Sequence, residues 1–158
     1  MRYLWKTKHL GLTIRPGQED EPLHLKCYVD ASFLSHGDSR GHSGYCLAIG
    51  DVGSFYSMST KQQLVATSST HAEVKALYQL SVDILYLIQR PISLPAVVME
   101  DNNPTVQLSS SLSSRIKRSK HFLMLINFIR QQVTLGLIEV SKVASADNIA
   151  DVLTKALP

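Results

Sequence analysis

The chain has 158 residues, of which 44% are hydrophobic and 18% charged, with a formal net charge of +3. That length suits one domain with a genuine core, and the balance of apolar and charged residues excludes a disordered tail and a membrane-embedded protein. The net charge is too small to exclude any class of partner, and only its distribution is informative.

Residues 1–20 are polar and broken by Gly11, Pro16 and Gly17, which reads as a connector from something upstream, leaving 21–158 as the domain. The lead holds no long apolar run, so neither a signal peptide nor a membrane span is expected and an intracellular setting is. From Leu23 to Phe33 the alternation LHLKCYVDASF predicts a strand, and SHGDSRGHSG turns the chain. SGYCLAIG and GSFYSMST predict two more strands at hairpin spacing around Asp51-Val52-Gly53. Cys27 and Cys46 sit inside these apolar runs and read as reduced core thiols.

A helix is predicted over 71–89, where Ala72, Ala76, Leu77, Leu80, Ile84 and Leu87 recur at helical spacing. PAVVMED is a strand-length run ending in acid, and Asn103-Pro104 opens a short helix. A second strong helix spans roughly 120–135 and stops at Gly136. LIEVSKV predicts a fifth strand, and Asp147 opens a final helix over NIADVLTKAL. The expected fold is therefore α/β: a five-stranded mixed sheet, three antiparallel strands followed by parallel additions, with helices on both faces.

Four carboxylates, Asp30, Glu73, Asp101 and Asp151, each end or open one of these elements. Ligands gather at strand ends and adjacent helix termini in such sheets, so the four are placed to share one rim. Hydrolysing a phosphodiester with two divalent ions needs hard oxygen ligands that converge in this way. Each acid also has a plainer reading. Asp30 could face water at a strand end, Glu73 has capping-box spacing from Thr70, Asp101 could cap the next helix, and Asp151 could pair with Lys155. Four such explanations falling at one sheet edge are less economical than one metal site. Arg115, Lys117, Arg118 and Lys120 crowd a stretch free of acids, which reads as a phosphate-facing patch or as a solvated face.

An ordered series of motifs resembles the ribonuclease H domain of copia-type, Pseudoviridae-like LTR retrotransposon Pol polyproteins. Arg2-Tyr3-Leu4 with Thr7 is similar to that family's RYLxxT at the end of the reverse transcriptase. Tyr28 to Phe33 resembles SDADW, Arg40 to Tyr45 KSTSGY, and Ser59 to Gln63 SKKQ. Ser68 to Glu73 resembles SSTEAE, and Glu100-Asp101-Asn102 the catalytic DN. Arg118 to His121 and Phe128 to Arg130 resemble RTKHI and HFIR, and Ala150 to Lys155 resembles ADILTK.

The resemblance implies a ribonuclease H-like fold and an endoribonuclease that degrades the RNA strand of RNA–DNA hybrids during reverse transcription. It implies Asp30, Glu73, Asp101 and Asp151 as catalytic ligands of two Mg²⁺ ions, with Mn²⁺ as a substitute. Hybrid recognition falls to Arg115, Lys117, Arg118 and Lys120, with Lys61, Gln62 and Ser68 added by the family match. Implied partners are the hybrid and the upstream reverse transcriptase, with Trp5 packing on the latter; the implied location is cytoplasmic, within a virus-like particle.

Alternation along the fourth strand points Glu100 to the other face, which would make it a bystander. Where the family reads KHIDxRYHFIR, this chain carries Leu123, Leu125 and Asn127, so the helix is apolar nearly all round and is expected to pack on a partner, either the parent polymerase or a second copy. His71 replaces an acid of SSTEAE and is expected to reduce the negative charge near the metals, while His121 reads as a packing or polar helix-start residue and not as a base. The histidine that cellular ribonucleases H carry before the last aspartate has no counterpart in 141–150, as in copia-type domains. The rival to an active nuclease is a silent nucleic-acid-binding or scaffolding module, which would be free to lose its acids.

Overall fold

The structure is a computed structural model that describes residues 6, 8–9, 23–50, 53–89, 92–111 and 119–155. Its elements follow the predicted order: β1 (His24–Ser32), β2 (His42–Ile49), β3 (Ser54–Lys61), α1 (Ser69–Leu87), β4 (Ser93–Glu100), α2 (Asn103–Ser110), α3 (Lys120–Thr134) and β5 (Ile138–Lys142). The connector at 1–20, apart from Lys6, Lys8 and His9, lies outside the described residues, as does Trp5.

The sheet order is β3-β2-β1-β4-β5. β1 pairs antiparallel with β2 and β2 with β3, whereas β4 runs parallel to β1 and β5 parallel to β4. Two hairpins need only short turns, but each parallel addition needs a crossover, and α1 and then α2 with α3 supply these.

Alternate residues Leu25, Cys27 and Val29 of β1, Tyr45 and Leu47 of β2, and Ala96 and Val98 of β4 enter the core. There they meet Ala72, Val74, Ala76, Leu77, Leu80 and Ile84 of α1, all fully buried. Each large apolar side chain so enclosed contributes roughly 1.5–3 kcal/mol of transfer free energy. Both thiols are free and buried, and burial raises the pKa of each above the ordinary thiol value. Tyr45 carries a polar tip into this layer, where its hydroxyl donates to Asp83 Oδ2 at 2.5 Å.

Two expectations change. The apolar helix α3 buries Phe122, Leu125, Ile126 and Ile129 within the domain, packing against α1, α2 and β5. Leu123 and Phe128 are half-buried, Tyr78 meets the Phe128 ring edge-on, and Met124 is the exposed large apolar side chain of 122–129. The stripe is therefore satisfied internally, which removes the reason to expect self-association through it.

The expected final helix over NIADVLTKAL is, among its described residues, a single 3-10 turn at Asp151–Leu153, preceded by another 3-10 turn at Ser145–Asp147. Asn148 between them donates to the Val29 carbonyl at 2.9 Å and accepts from the Ala150 N–H at 3.2 Å. Asn148 thereby fastens this segment to the central strand β1 beside Asp30. No described helix is long and apolar enough to cross a membrane.

Candidate metal centre

Strand pairing brings two acids to one level. Asp30 lies opposite Gly44 in the antiparallel register, and its neighbour Val29 lies beside Glu100 in the parallel one, so Asp30 and Asp101 leave the same end of adjacent parallel strands. Glu73 arrives from above, in the second turn of α1 and 5% exposed. Carboxylate oxygens of Asp30, Glu73 and Asp101 all lie within 4.8 Å of one another.

The plainer readings of these three acids fall away in the folded chain. Asp30 is 6% exposed and does not face water. The cap of α1 is Ser68, whose Oγ accepts the His71 N–H at 3.1 Å, so Glu73 is not spent in a capping box from Thr70. The cap of α2 is Asn102, which accepts from Thr105 N–H at 3.1 Å and leaves Asp101 uncommitted to the helix.

Packing these groups together has an electrostatic cost. Burial pushes the Glu73 carboxyl far above its ordinary range, and Glu100, Asp30 and Asp101 add like-charge repulsion that the Ala31 N–H only partly relieves. Asp30 is raised for the same reason, burial first, although the Thr154 hydroxyl that donates to its Oδ2 opposes the shift. Glu73 Oε2 is buried without a hydrogen-bond partner. An orphaned carboxylate oxygen beside two further carboxylates is what a divalent cation would satisfy, and the all-oxygen set matches the hard-ligand preference of Mg²⁺. The residues present fit such an ion.

Asp151 lies at the margin. It is outside the 4.8 Å set, its side chain is 32% exposed, and it pairs with Lys155, as the plainer reading held. It nevertheless stands close enough to raise Asp30 further. The segment bearing it is held by Thr154 on Asp30, by Asn148 on β1, and by Ser59 of β3, which donates to the Leu153 carbonyl at 2.6 Å.

Because the single hydroxyl hydrogen of Ser59 goes to Leu153, His42 Nε2 donates to Ser59 at 2.8 Å and His42 Nδ1 accepts from His36 Nε2 at 3.0 Å. His36, His42, Ser59, Thr154 and Lys155 line a cleft of about 330 Å³ next to the acids.

Gly44 makes the approach of this segment possible, since a Cβ there would stand 2.7 Å from Leu153 Cβ and 2.8 Å from Thr154 Cγ2. Gly44→Ala is expected to lower stability by about 1–3 kcal/mol, the usual range for overpacking, and to lift Thr154 from Asp30. Urea unfolding checks the first effect and faster amide exchange at 150–154 the second; unchanged exchange would refute the link.

No family model matches the chain. It is 30% identical over 164 residues to the Retrovirus-related Pol polyprotein from transposon RE2 of Arabidopsis thaliana, an alignment covering 99% of this chain and 11% of that protein. The LC11-RNase H1 structure in complex with RNA/DNA hybrid superposes with a TM-score of 0.63 at 16% identity, covering 82% of this chain and 92% of that one. The foamy viral protease-reverse transcriptase in complex with RNA/DNA hybrid gives 0.62 at 14% identity, covering 89% of this chain and 21% of the other. Over nearly its whole length the chain is similar to retrotransposon Pol polyproteins, and it has the fold of ribonuclease H. It spans about a tenth of the length of the curated relative described.

Within this domain the remaining site residues are unevenly placed. Arg115, Lys117 and Arg118 lie outside the described residues, whereas Lys120 is exposed at the first position of α3. Lys61 is exposed and paired with Asp38 at 2.7 Å. Gln62 is 3% exposed, and its amide donates to Ser43 Oγ and to the Ala72 carbonyl. It braces β3 against α1, and so enclosed it is corrected from a nucleic-acid contact to a structural residue. The Ser68 hydroxyl is engaged at the helix cap.

His71 turns to the Thr67 N–H at 3.2 Å and packs edge-on against Phe122. It thus packs between the Thr67 turn and the start of α3. His121 lies against His71, with ring centroids 6.4 Å apart. Arg130, from the HFIR-like motif, donates to the Leu108 carbonyl at 2.7 Å and ties α3 to α2.

Glu100 is the main correction. Alternation places it with Ala96 and Val98 on the face that α1 covers, where it is fully buried and an electrostatic neighbour of Glu73, Asp101 and Asp30. Alternation counted from Asp101 points Glu100 the other way, but Asp101 lies just past the strand, so the period-two count does not extend to it.

Proposed function

We propose that this domain is a metal-dependent endoribonuclease that hydrolyses the RNA strand of RNA–DNA hybrids during retrotransposon reverse transcription. The observation that carries the reading is the convergence of Asp30, Glu73 and Asp101, three buried or half-buried acids whose oxygens lie within 4.8 Å of one another. Asp30, Glu73 and Asp101 hold the cations, with Asp151 beside them. Two Mg²⁺ ions, or Mn²⁺ in their place, supply an activated water and a stabilised leaving oxygen.

The chain's own groups hold this set in position. Thr154 orients Asp30 by donating to its Oδ2, Lys142 donates to the Asp101 carbonyl, and Lys155 neutralises Asp151 from the cleft side. Burial keeps bulk water from the acids and strengthens their interaction with a cation.

A hybrid is recognised by the 2′-OH groups of one strand and the phosphates of both across a shallow minor groove. Lys120, Lys61 and the 115–118 segment are the proposed phosphate contacts, a sequence-independent and salt-sensitive mode of binding. Support comes from the hybrid-bound ribonuclease H and the foamy viral protease-reverse transcriptase that share this fold. The proposed partner in the chain is an upstream reverse transcriptase, since the relatives are Pol polyproteins. The proposed location is the cytoplasm, within a virus-like particle.

The test is cleavage of a labelled RNA–DNA hybrid by the purified chain with Mg²⁺, with chelator, and beside single-stranded RNA and duplex DNA. Metal-dependent loss of the RNA strand of the hybrid alone is the expected result. Binding without cleavage, here and in the longer polyprotein, would favour the silent scaffold instead.

A further inference from the structure

Beyond the three converging acids, one buried acid is not explained by the reading above. β4 sends Ala96, Val98 and Glu100 inward, and all three are 0% exposed. Glu100 therefore occupies a position where a third apolar side chain would complete the core. Its Oε1 accepts the Asn102 N–H at 2.9 Å, which shapes the turn that carries Asp101. Its Oε2 is buried without a hydrogen-bond partner, as is Glu73 Oε2.

Among the described residues, the charged groups around Glu100 are Glu73, Asp101, Asp30 and one base, Lys142. Lys142 is itself drawn to the Asp101 carbonyl. A wholly enclosed carboxylate beside three others is costly unless a cation compensates it. We propose that Glu100 is a fifth carboxylate of this centre, whose Oε2 adds negative charge and a hydrogen-bond acceptor to the hydrated divalent cation held by Asp30, Glu73 and Asp101. The inference rests on the metal-site reading and deepens it, turning a residue next to the motif into part of the cation's surroundings.

The opposing account is that Glu100 only shapes the turn through Oε1. Glu100→Gln separates the two, because glutamine keeps a carbonyl oxygen for the Asn102 N–H and the same shape while removing the charge. The experiment is calorimetric titration of the full chain with Mn²⁺, comparing wild type, Glu100→Gln and Asp101→Asn, with circular dichroism melts to establish that each is folded. Residues that act on a metal through its outer sphere change affinity by roughly 10- to 100-fold, so Glu100→Gln is expected to raise the Mn²⁺ dissociation constant about 10-fold. Its metal-free melting temperature is expected to be unchanged or higher, since a buried charge is gone.

An unchanged dissociation constant for Glu100→Gln, with Asp101→Asn impaired, would overturn the proposal and leave the three-acid centre standing. Absence of Mn²⁺ binding by the wild type would overturn both.

Discussion

Asp30→Asn is expected to lower kcat/KM for an RNA–DNA hybrid by about three orders of magnitude or more at saturating Mg²⁺, while leaving the fold intact. Asp30 is the acid at the centre of the group, since it has both Asp101 and Asp151 as charged neighbours and accepts from Thr154. Asparagine keeps one acceptor oxygen but removes the charge that holds a cation. Metal stabilisation of a developing oxyanion is worth several kcal/mol, and each 1.36 kcal/mol is tenfold in rate, which sets that magnitude. Asp151→Asn is expected to cost less, because Asp151 is partly exposed and stands outside the three-oxygen set. Steady-state cleavage of the hybrid by both variants checks the order; wild-type rates from Asp30→Asn would remove the acid centre from the chemistry.

The second large effect is on stability. Burial raises Glu73 and Glu100 in the folded protein, so folding favours their protonated forms. A carboxyl raised above its unfolded value, near 4.5 for glutamate, contributes stability that is complete below that value and is lost as pH rises toward the folded one. Metal-free protein is therefore expected to lose stability on going from pH 5 to pH 8, the opposite of the usual behaviour of salt-bridged carboxylates.

A bound divalent cation reverses this by stabilising the ionised forms. At a concentration about 100 times the dissociation constant, Mg²⁺ adds about 2.7 kcal/mol, or roughly 5–10 °C in Tm for a domain of this size. The gain is expected to be larger at pH 8 than at pH 5. Thermal melts at both values, with Mg²⁺ or with chelator, measure it, and a Mg²⁺ response independent of pH would contradict the coupling.

The contrast between α3 and the C-terminal segment explains which parts of the fold could be read in advance. Periodicity located α3 to within a residue, because Phe122, Ile126 and Ile129 recur on one face and Gly136, with φ of +68°, ends the element in a conformation glycine adopts easily. It could not say what covers the rest of that helix, since the answer lies in α1, α2 and β5, which are distant in sequence. NIADVLTKAL is expected to be helical as well, but its described part holds a 3-10 turn at Asp151–Leu153 flanked by Asn148 and Thr154, whose partners Val29 and Asp30 lie more than a hundred positions away.

The acids divide in the same way. Asp30, Glu73 and Asp101 were identifiable because each ends or opens an element and each falls in a motif of known order. Glu100 was assigned to the wrong face because a period-two argument fails by a full side when its reference residue lies outside the strand. Gly44 and His42 carried no signal on their own. Their roles arise from the register of β2 with β1 and β3, which puts a glycine under the last segment and an imidazole beside Ser59.

By itself the sequence determined the element order, the mixed sheet, the reduced core thiols and the identity of the acids, because hydrophobic period, caps and turn residues act over a few positions. Only the tertiary structure decided which acids meet, that Asp151 stands aside with Lys155, that Gln62 is a brace, and that Glu100 is buried beside the converging acids. Those outcomes depend on strand register and on burial, and neither is a local property of the chain.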